Sequence, residues 1–136
     1  MKTALDTSVI LDVVTDDPNW AEASEIALSK AFGMGSLVIG ECVLAEITPA
    51  LASDDLEHFL KEWRILYRST TQASAIRAGR MYERYLQRAS ELKRILPDFL
   101  IGAHAMEHCG RLLARDRGYY RDYFKGLTVI DPTAGD

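Results

Sequence analysis

Asp6, Glu46, Asp98 and Asp116 are acids in positions from which a fold can bring carboxylates together. Asp6 stands where the apolar run "KTAL" stops and "TSVILD" begins, and Asp116 follows "RLLA" after a single residue. Asp98 directly follows Pro97, and Glu46 interrupts an apolar stretch between Ala45 and Ile47. Two carboxylates about 4 Å apart repel by about 1 kcal/mol in water and about 4 kcal/mol at an effective dielectric of 20. A cleft holding several of them must raise their pKa values or take up a hard divalent cation. Oxygen donors without histidine or cysteine suit Mg²⁺ or Mn²⁺ rather than Zn²⁺. Such an ion positions water and offsets charge at a phosphate, the chemistry of phosphodiester hydrolysis. Taken singly, each acid has a plain alternative: Asp6 as a turn residue, Asp98 as a first-turn helix charge, Glu46 as a solvated side chain, Asp116 as one member of an ion pair. Only their joint placement favours a site.

The elements that must position these acids alternate in period. Residues 2–5, 36–39, 111–114 and 127–130 read as short strands. Asp6-Thr-Ser starts a turn into a helix. Asp17 with Pro18 marks the start of another, running to about Phe32 and ended by "GMG". Residues 41–52 have helical period with Pro49 bending or closing the run, and Glu41 reads as a first-turn charge. Asp54 and Glu57 have capping-box spacing for a helix to about Tyr67. A long amphipathic helix covers roughly 71–93, with Ala78, Met81, Tyr82, Tyr85, Leu86 and Ala89 on its apolar side. Pro97 opens a further helix at 98 that Gly110 ends, and residues 115–126 form a loop. Strands spaced by helices predict an α/β fold with a parallel sheet covered on both faces. Ligands in such sheets gather beyond the carboxyl ends of the strands, where Asp6 and Asp116 both fall.

A chain of 136 residues fits one domain, 1–136, with a sizeable core. No apolar run approaches the roughly 20 residues of a membrane span, and the early Asp6 argues against a signal peptide, so a cytoplasmic protein is expected. Cys42 and Cys109 lie far apart and read as small buried hydrophobes rather than a disulfide framework or a metal clip. The net charge of −4 conceals an asymmetry: residues 61–94 carry nine basic and three acidic side chains. Within that segment Arg77, Arg80, Arg84 and Arg88 share one helix face. That face is a ridge for a phosphate backbone, an anchor for an acidic partner, or simply solvated. Tyr119, Tyr120 and Tyr123 beside Arg115, Arg117 and Arg121 either stack on unpaired bases or cover the sheet edge. "HAMEH" (104–108) fits a zinc-peptidase pattern literally, but only 28 residues follow it, little room for a further ligand and a substrate cleft. Its histidines read better as partly exposed helix residues.

The stretches "LDTSVILD", "VLAEI", "LPDFLIGAHA" and "LLARDRGYYRDYF", in that order and spacing, resemble PIN-domain ribonucleases, and among them VapC-type toxins of toxin–antitoxin pairs. The resemblance spans essentially the whole chain. It implies a three-layer α/β/α fold with a short central parallel sheet. It also implies that Asp6, Glu46, Asp98 and Asp116 bind Mg²⁺ or Mn²⁺ for RNA cleavage by activated water, leaving a 5′-phosphate and a 3′-hydroxyl. Ser8 then supports Asp6, Arg115 joins the four helix arginines in contacting RNA, a cognate antitoxin restrains the toxin, and the toxin forms a homodimer. Ala114 stands where many members carry Thr or Ser, and Gly118 where some relatives carry a fifth acid. A haloacid-dehalogenase phosphatase needs an Asp two residues after the first, where Ser8 stands here. A response-regulator receiver needs paired acids at the first strand end and a Lys at a late strand end, which Lys125 misses. The rival from another class is a PIN-like module that binds RNA or protein without turnover.

Overall fold

The computed structural model describes residues 1–91, 93–115 and 119–133. Five parallel strands form one sheet: β1 (Lys2–Leu5), β2 (Ser36–Ile39), β3 (Leu66–Tyr67), β4 (Arg111–Leu113) and β5 (Thr128–Ile130), in the order β3-β2-β1-β4-β5. Consecutive strand residues point to opposite faces. Thr3, Ala4 and Leu5 are all buried, as are Leu37, Val38 and Ile39, so both faces of the sheet are covered. The chain is thus of the α/β class, with helices on both sides of a short parallel sheet.

The helices are α1 (Thr7–Val14), α2 (Ala21–Met34), α3 (Glu41–Ile47), α4 (Ser53–Glu62), α5 (Gln72–Arg88), α6 (Leu96–His108) and α7 (Tyr119–Tyr123). From β1 the chain steps outward through β2 and β3, then returns to the opposite side of β1 for β4 and β5. The strand order therefore reverses between β1 and β4. Ala4 pairs with Leu112 and Leu5 with Leu113, and the Asp6 amide extends the ladder by donating to Leu113 (2.9 Å). Asp6 lies at the crevice such a reversal opens.

Local chemistry sets most boundaries, and some differ from the sequence reading. Asp17 accepts from the amides of Asn19 (2.8 Å) and Trp20 (2.9 Å), so regular helix begins at Ala21 rather than Pro18. Pro49 closes α3 into a single 3₁₀ turn, Thr48–Ala50. The expected helix to Tyr67 stops at Glu62, because Arg64 adopts a left-handed φ of 50° that turns the chain into β3. No capping box forms at Asp54 and Glu57; both lie inside α4. Helix α5 is shorter than expected, and Leu86 is 45% exposed rather than on the packed side. The loop before β5 contains α7, which the sequence reading did not contain. Gly110 (φ +75°) ends α6 by donating its amide to Ala105 (2.8 Å).

Helix α6 packs on β1 and β4 and is the central strut, with Phe99, Ile101, Ala103 and Ala105 buried. Gly102 faces the fully buried Phe124 so closely that a Cβ would lie 2.3 Å from its ring. Alanine favours a helix by about 1 kcal/mol over glycine, yet overpacking a tight core costs about 1–3 kcal/mol. Gly102→Ala should therefore lose stability in urea denaturation; a gain would contradict this packing.

Candidate active site

Each carboxylate of interest owes its position to a different element. Asp6 is the N-cap of α1, and its Oδ2 accepts from the Ser8 amide (3.1 Å) and the Ser8 hydroxyl (2.5 Å). Its Oδ1 accepts from the Tyr120 hydroxyl of α7 at 2.9 Å. One donor set on each oxygen fixes the carboxylate plane. The Ser8 hydroxyl in turn accepts from the Arg115 amide at 3.3 Å, tying the exit of β4 to the same corner.

Asp98 is the third residue of α6, and it accepts from the Ile95 amide at 3.1 Å while its own amide donates back to the Ile95 carbonyl (3.0 Å). Burial pushes its carboxyl above the usual range, the Ile95 amide and Arg94 pull it down, and the negative charge of Asp6 raises it. The charge of Asp6, 92 positions earlier in sequence, is thus felt at Asp98. Glu46 is exposed on α3, but its carboxylate accepts from the Thr7 hydroxyl at 2.7 Å, next to Asp6 in the chain. Asp116 lies outside the described residues. Among the described residues no three of His, Cys, Asp and Glu stand together as a metal cage.

The basic residues divide. Arg77, Arg80, Arg84 and Arg88 are exposed on α5, and Arg80 approaches Glu83 at 3.7 Å. Arg77, Arg84 and Arg88 line an open groove with Met81, Tyr123, Asp122 and Lys125. Arg115, expected to face RNA, forks instead onto Asp12: Nε to Oδ2 at 2.8 Å and Nη2 to Oδ1 at 3.0 Å. Asp12 is 2% exposed and also accepts from the Ser24 hydroxyl (2.7 Å). Its sequence signal was faint: an acid inside "SVILDVV", one helical turn after Ser8.

Tyr119 and Tyr120 are buried and cannot stack on bases; with Tyr82, Tyr85, Phe99 and Tyr123 they form an aromatic cluster. Nothing in the sequence marked Tyr120 as the residue that would hold Asp6. Cys42 and Cys109 are half-buried free thiols, and burial pushes Cys109 up to about 11, so it stays protonated.

The "HAMEH" residues are structural. His104 is buried, not partly exposed, and its Nε2 donates to the Arg68 carbonyl (2.6 Å); His108 Nε2 donates to the Ser69 carbonyl (3.0 Å). Glu107 accepts from the hydroxyls of Thr71 (2.5 Å) and Ser74 (2.8 Å), and Glu41 holds Thr70 through its amide (2.8 Å) and hydroxyl. Together they latch segment 68–74 to α3 and α6. Burial lowers the His104 pKa, helped by His108 and opposed by its Arg68 bond. The unfolded chain therefore takes up a proton at about pH 6.5 that the folded chain resists. Stability should fall as pH drops below that value, with a slope of at most about 1.4 kcal/mol per pH unit from this group. Urea titrations from pH 5 to 8 should show this slope and its flattening in His104→Gln.

A family model described as "PIN domain" matches residues 3–125. The chain belongs to the PIN domain family. Solved structures with the same fold include a chain of VapBC2 from Rickettsia felis, a complex bound to a DNA fragment from their promoter, with TM-score 0.72 and 17% identity over 96% of this chain and 98% of that one. FitAcB from Neisseria gonorrhoeae aligns with TM-score 0.66 and 19% identity, covering 98% and 99% of the two chains. A toxin–antitoxin complex from Klebsiella pneumoniae aligns with TM-score 0.66 and 17% identity, covering 96% and 97%. No curated protein matches the sequence. In this PIN domain Asp6 stands at the carboxyl end of β1, beside the strand-order reversal, and Asp98 lies in the first turn of α6. No helix among the described residues is long and apolar enough to cross a membrane.

Proposed function

We propose that this PIN domain is a metal-dependent endoribonuclease and the toxin of a toxin–antitoxin pair, acting in the cytoplasm as a homodimer restrained by its antitoxin. The observation that carries the reading is the Asp6 carboxylate at the carboxyl end of β1, held through both oxygens by Ser8 and Tyr120, with its charge felt at Asp98. The solved relatives support the partner assignment, since the similar Klebsiella pneumoniae structure is a toxin–antitoxin complex.

The donor set fits Mg²⁺ or Mn²⁺. Mg²⁺ is commonly held by one or two carboxylates and keeps several waters. A carboxylate has about four lone-pair sites; Asp6 receives one hydrogen bond on Oδ1 and two on Oδ2, so Oδ1 retains acceptor capacity. Burial and the charge of Asp6 both oppose ionisation of Asp98, an opposition a dication would relieve. Asp6, Asp98 and Asp116 would hold the ion, with Glu46 close by. The chemistry a bound dication supplies is a nucleophile drawn from water at neutral pH and a counter-charge for the phosphate. The chain's own part is positional: Ser8 and Tyr120 fix Asp6, the start of α6 aims Asp98, and Thr7 restrains Glu46. The α5 arginines would grip the RNA backbone, adding affinity and salt dependence rather than sequence choice.

A second reading, a PIN-like module without turnover, shares the fold and the basic face of α5 and differs only in whether the acids hold a metal. Cleavage of single-stranded RNA with and without Mg²⁺, by wild type and Asp6→Asn, separates the two. Metal-dependent cleavage that Asp6→Asn loses supports the nuclease; no cleavage, or cleavage indifferent to metal and to Asp6, ends that reading.

A further inference from the structure

The groove beside α5 is walled by two elements that both reach the acid end of the molecule. Ser74, in the first turn of α5, donates its hydroxyl to Glu107 in the last turn of α6 (2.8 Å). Tyr85, in the last turn of α5, has its ring 5.5 Å from that of Phe99 in the first turn of α6. The two helices therefore run antiparallel, and Arg88 and Asp98 lie at the same end of the pair. Phe99 also meets Tyr119, the first residue of α7, edge-on at 5.2 Å, and Tyr120 donates to Asp6 (2.9 Å). From there α7 follows α6 until Phe124 meets Gly102. Both walls thus lead away from the acids.

The groove is cationic on both sides. Arg77, Arg84 and Arg88 stand on α5 and the exposed Lys125 just past α7, and one carboxylate, Asp122, joins them. Arg80, the fourth arginine of the helix, does not line it and approaches Glu83 instead (3.7 Å). From Arg77 to Arg88 the helix rises about 16 Å, at 1.5 Å per residue. Met81 and Tyr123, both half-buried, add an apolar lining, and the Tyr123 ring is fixed edge-on against Tyr85 (6.0 Å) and Phe99 (5.6 Å). The void of about 340 Å³ is the size of a pocket for a small ligand, so it admits one strand and not a duplex. A basic groove with an aromatic ring suits unpaired nucleic acid: cations track the phosphates and the ring takes the face of a base. An acidic protein segment would satisfy the cations but gives no reason for the groove to run from the acids.

We propose that the groove between α5 and α7 is a track for single-stranded RNA. It holds the strand on one side of the cleaved phosphodiester, with Arg77, Arg84 and Arg88 on one wall and Lys125 on the other. The inference rests on the nuclease reading and deepens it by naming the substrate as a single strand, but the binding itself can be measured without turnover.

The test uses the full chain with Arg84→Gln and Lys125→Gln, one from each wall, singly and together. Lys30→Gln on α2 is a charge control outside the groove. All three side chains are exposed, so the exchanges should leave the fold intact. Binding of a labelled single-stranded RNA is read by anisotropy across a salt series in an Asp6→Asn background. Each groove exchange should reduce the slope of log Kd against log salt by about 0.7, the share of one phosphate contact on a single strand, and the pair by about twice that. Lys30→Gln should leave the slope unchanged, and duplex RNA of the same sequence should respond far less. Asp122→Asn should bind the strand more tightly, a gain that no loss of folding produces. For wild type in Mg²⁺, kcat/KM should climb as the strand is lengthened on one side of the cut and then level off; in the double variant it should stay flat.

Wild-type slopes in both groove variants, an equal loss in Lys30→Gln, an equal loss with duplex RNA, or wild-type cleavage indifferent to strand length overturns the track while the nuclease stands. Unchanged RNA binding with weakened binding of a polyglutamate peptide assigns the groove to an acidic protein and overturns the track as well. If wild type binds RNA without cleaving it and the groove variants still flatten the slope, the nuclease reading fails and the strand-binding groove survives.

Discussion

Asp6→Asn should cleave RNA at least roughly 10³-fold more slowly than wild type in saturating Mg²⁺, while remaining folded. The magnitude follows from the several kcal/mol that metal-held charge stabilisation contributes at a phosphate, about 4 kcal/mol being a thousandfold. The fold should survive because an amide can reproduce the local bonds. Its oxygen can accept from the Ser8 amide and hydroxyl, and its NH₂ can donate to the Tyr120 hydroxyl once that hydroxyl turns. Removing the Asp6 charge also removes one of the influences that raise Asp98, so the metal-free variant should melt no lower than wild type. Added Mg²⁺ should raise the wild-type melting temperature, an effect of about 2.7 kcal/mol at a hundred times its Kd, and should do far less for the variant. A variant that cleaves normally, or one that melts several degrees lower and responds to Mg²⁺ as wild type does, would show that Asp6 is a structural cap and nothing more.

Arg115→Ala should be the most destabilising exchange on the polar side of the core, about 3–5 kcal/mol, the usual cost of stranding a buried charge. The Asp12 side chain is 3% exposed and would keep only the Ser24 hydroxyl. The reverse exchange is milder. In Asp12→Asn the Arg115 side chain, 31% exposed and 5.6 Å from the Trp20 ring, can turn toward water or remain stacked. That asymmetry is the signature to look for in urea denaturation. Replacing both partners by apolar residues, Asp12→Leu with Arg115→Met, should recover most of the loss. A loss below about 1 kcal/mol in Arg115→Ala would show the pair to be ornamental.

Period and punctuation were legible along the chain. The strand at 36–39, the α5 stripe and the stop at Gly110 follow from local hydrophobic pattern and backbone chemistry, which act over a few residues and survive without tertiary context. What failed was local signal overridden by contacts: Asp54 and Glu57 have the right spacing for a cap that α4 does not use, and Leu66–Tyr67 became a strand because β2 offered its edge. Leu86 has the right phase for burial but faces solvent because nothing packs over it there.

For the site, residue type and element ends pointed to Asp6 and Asp116, as carboxylates at two strand ends on one edge of a parallel sheet, and to Asp98 at a helix start. The sequence by itself therefore determined the α/β class, the chemical character of the acids and the basic face of α5. Only the tertiary structure decided which hydroxyl holds which carboxylate, that Arg115 turns inward to Asp12, that His104 is a buried latch and that the Arg94 guanidinium stacks on the Tyr119 ring. The physical reason is range: propensity and periodicity are read within one turn or one strand, whereas these pairings join residues from about 25 to more than 110 positions apart, and their partners are chosen by packing in three dimensions.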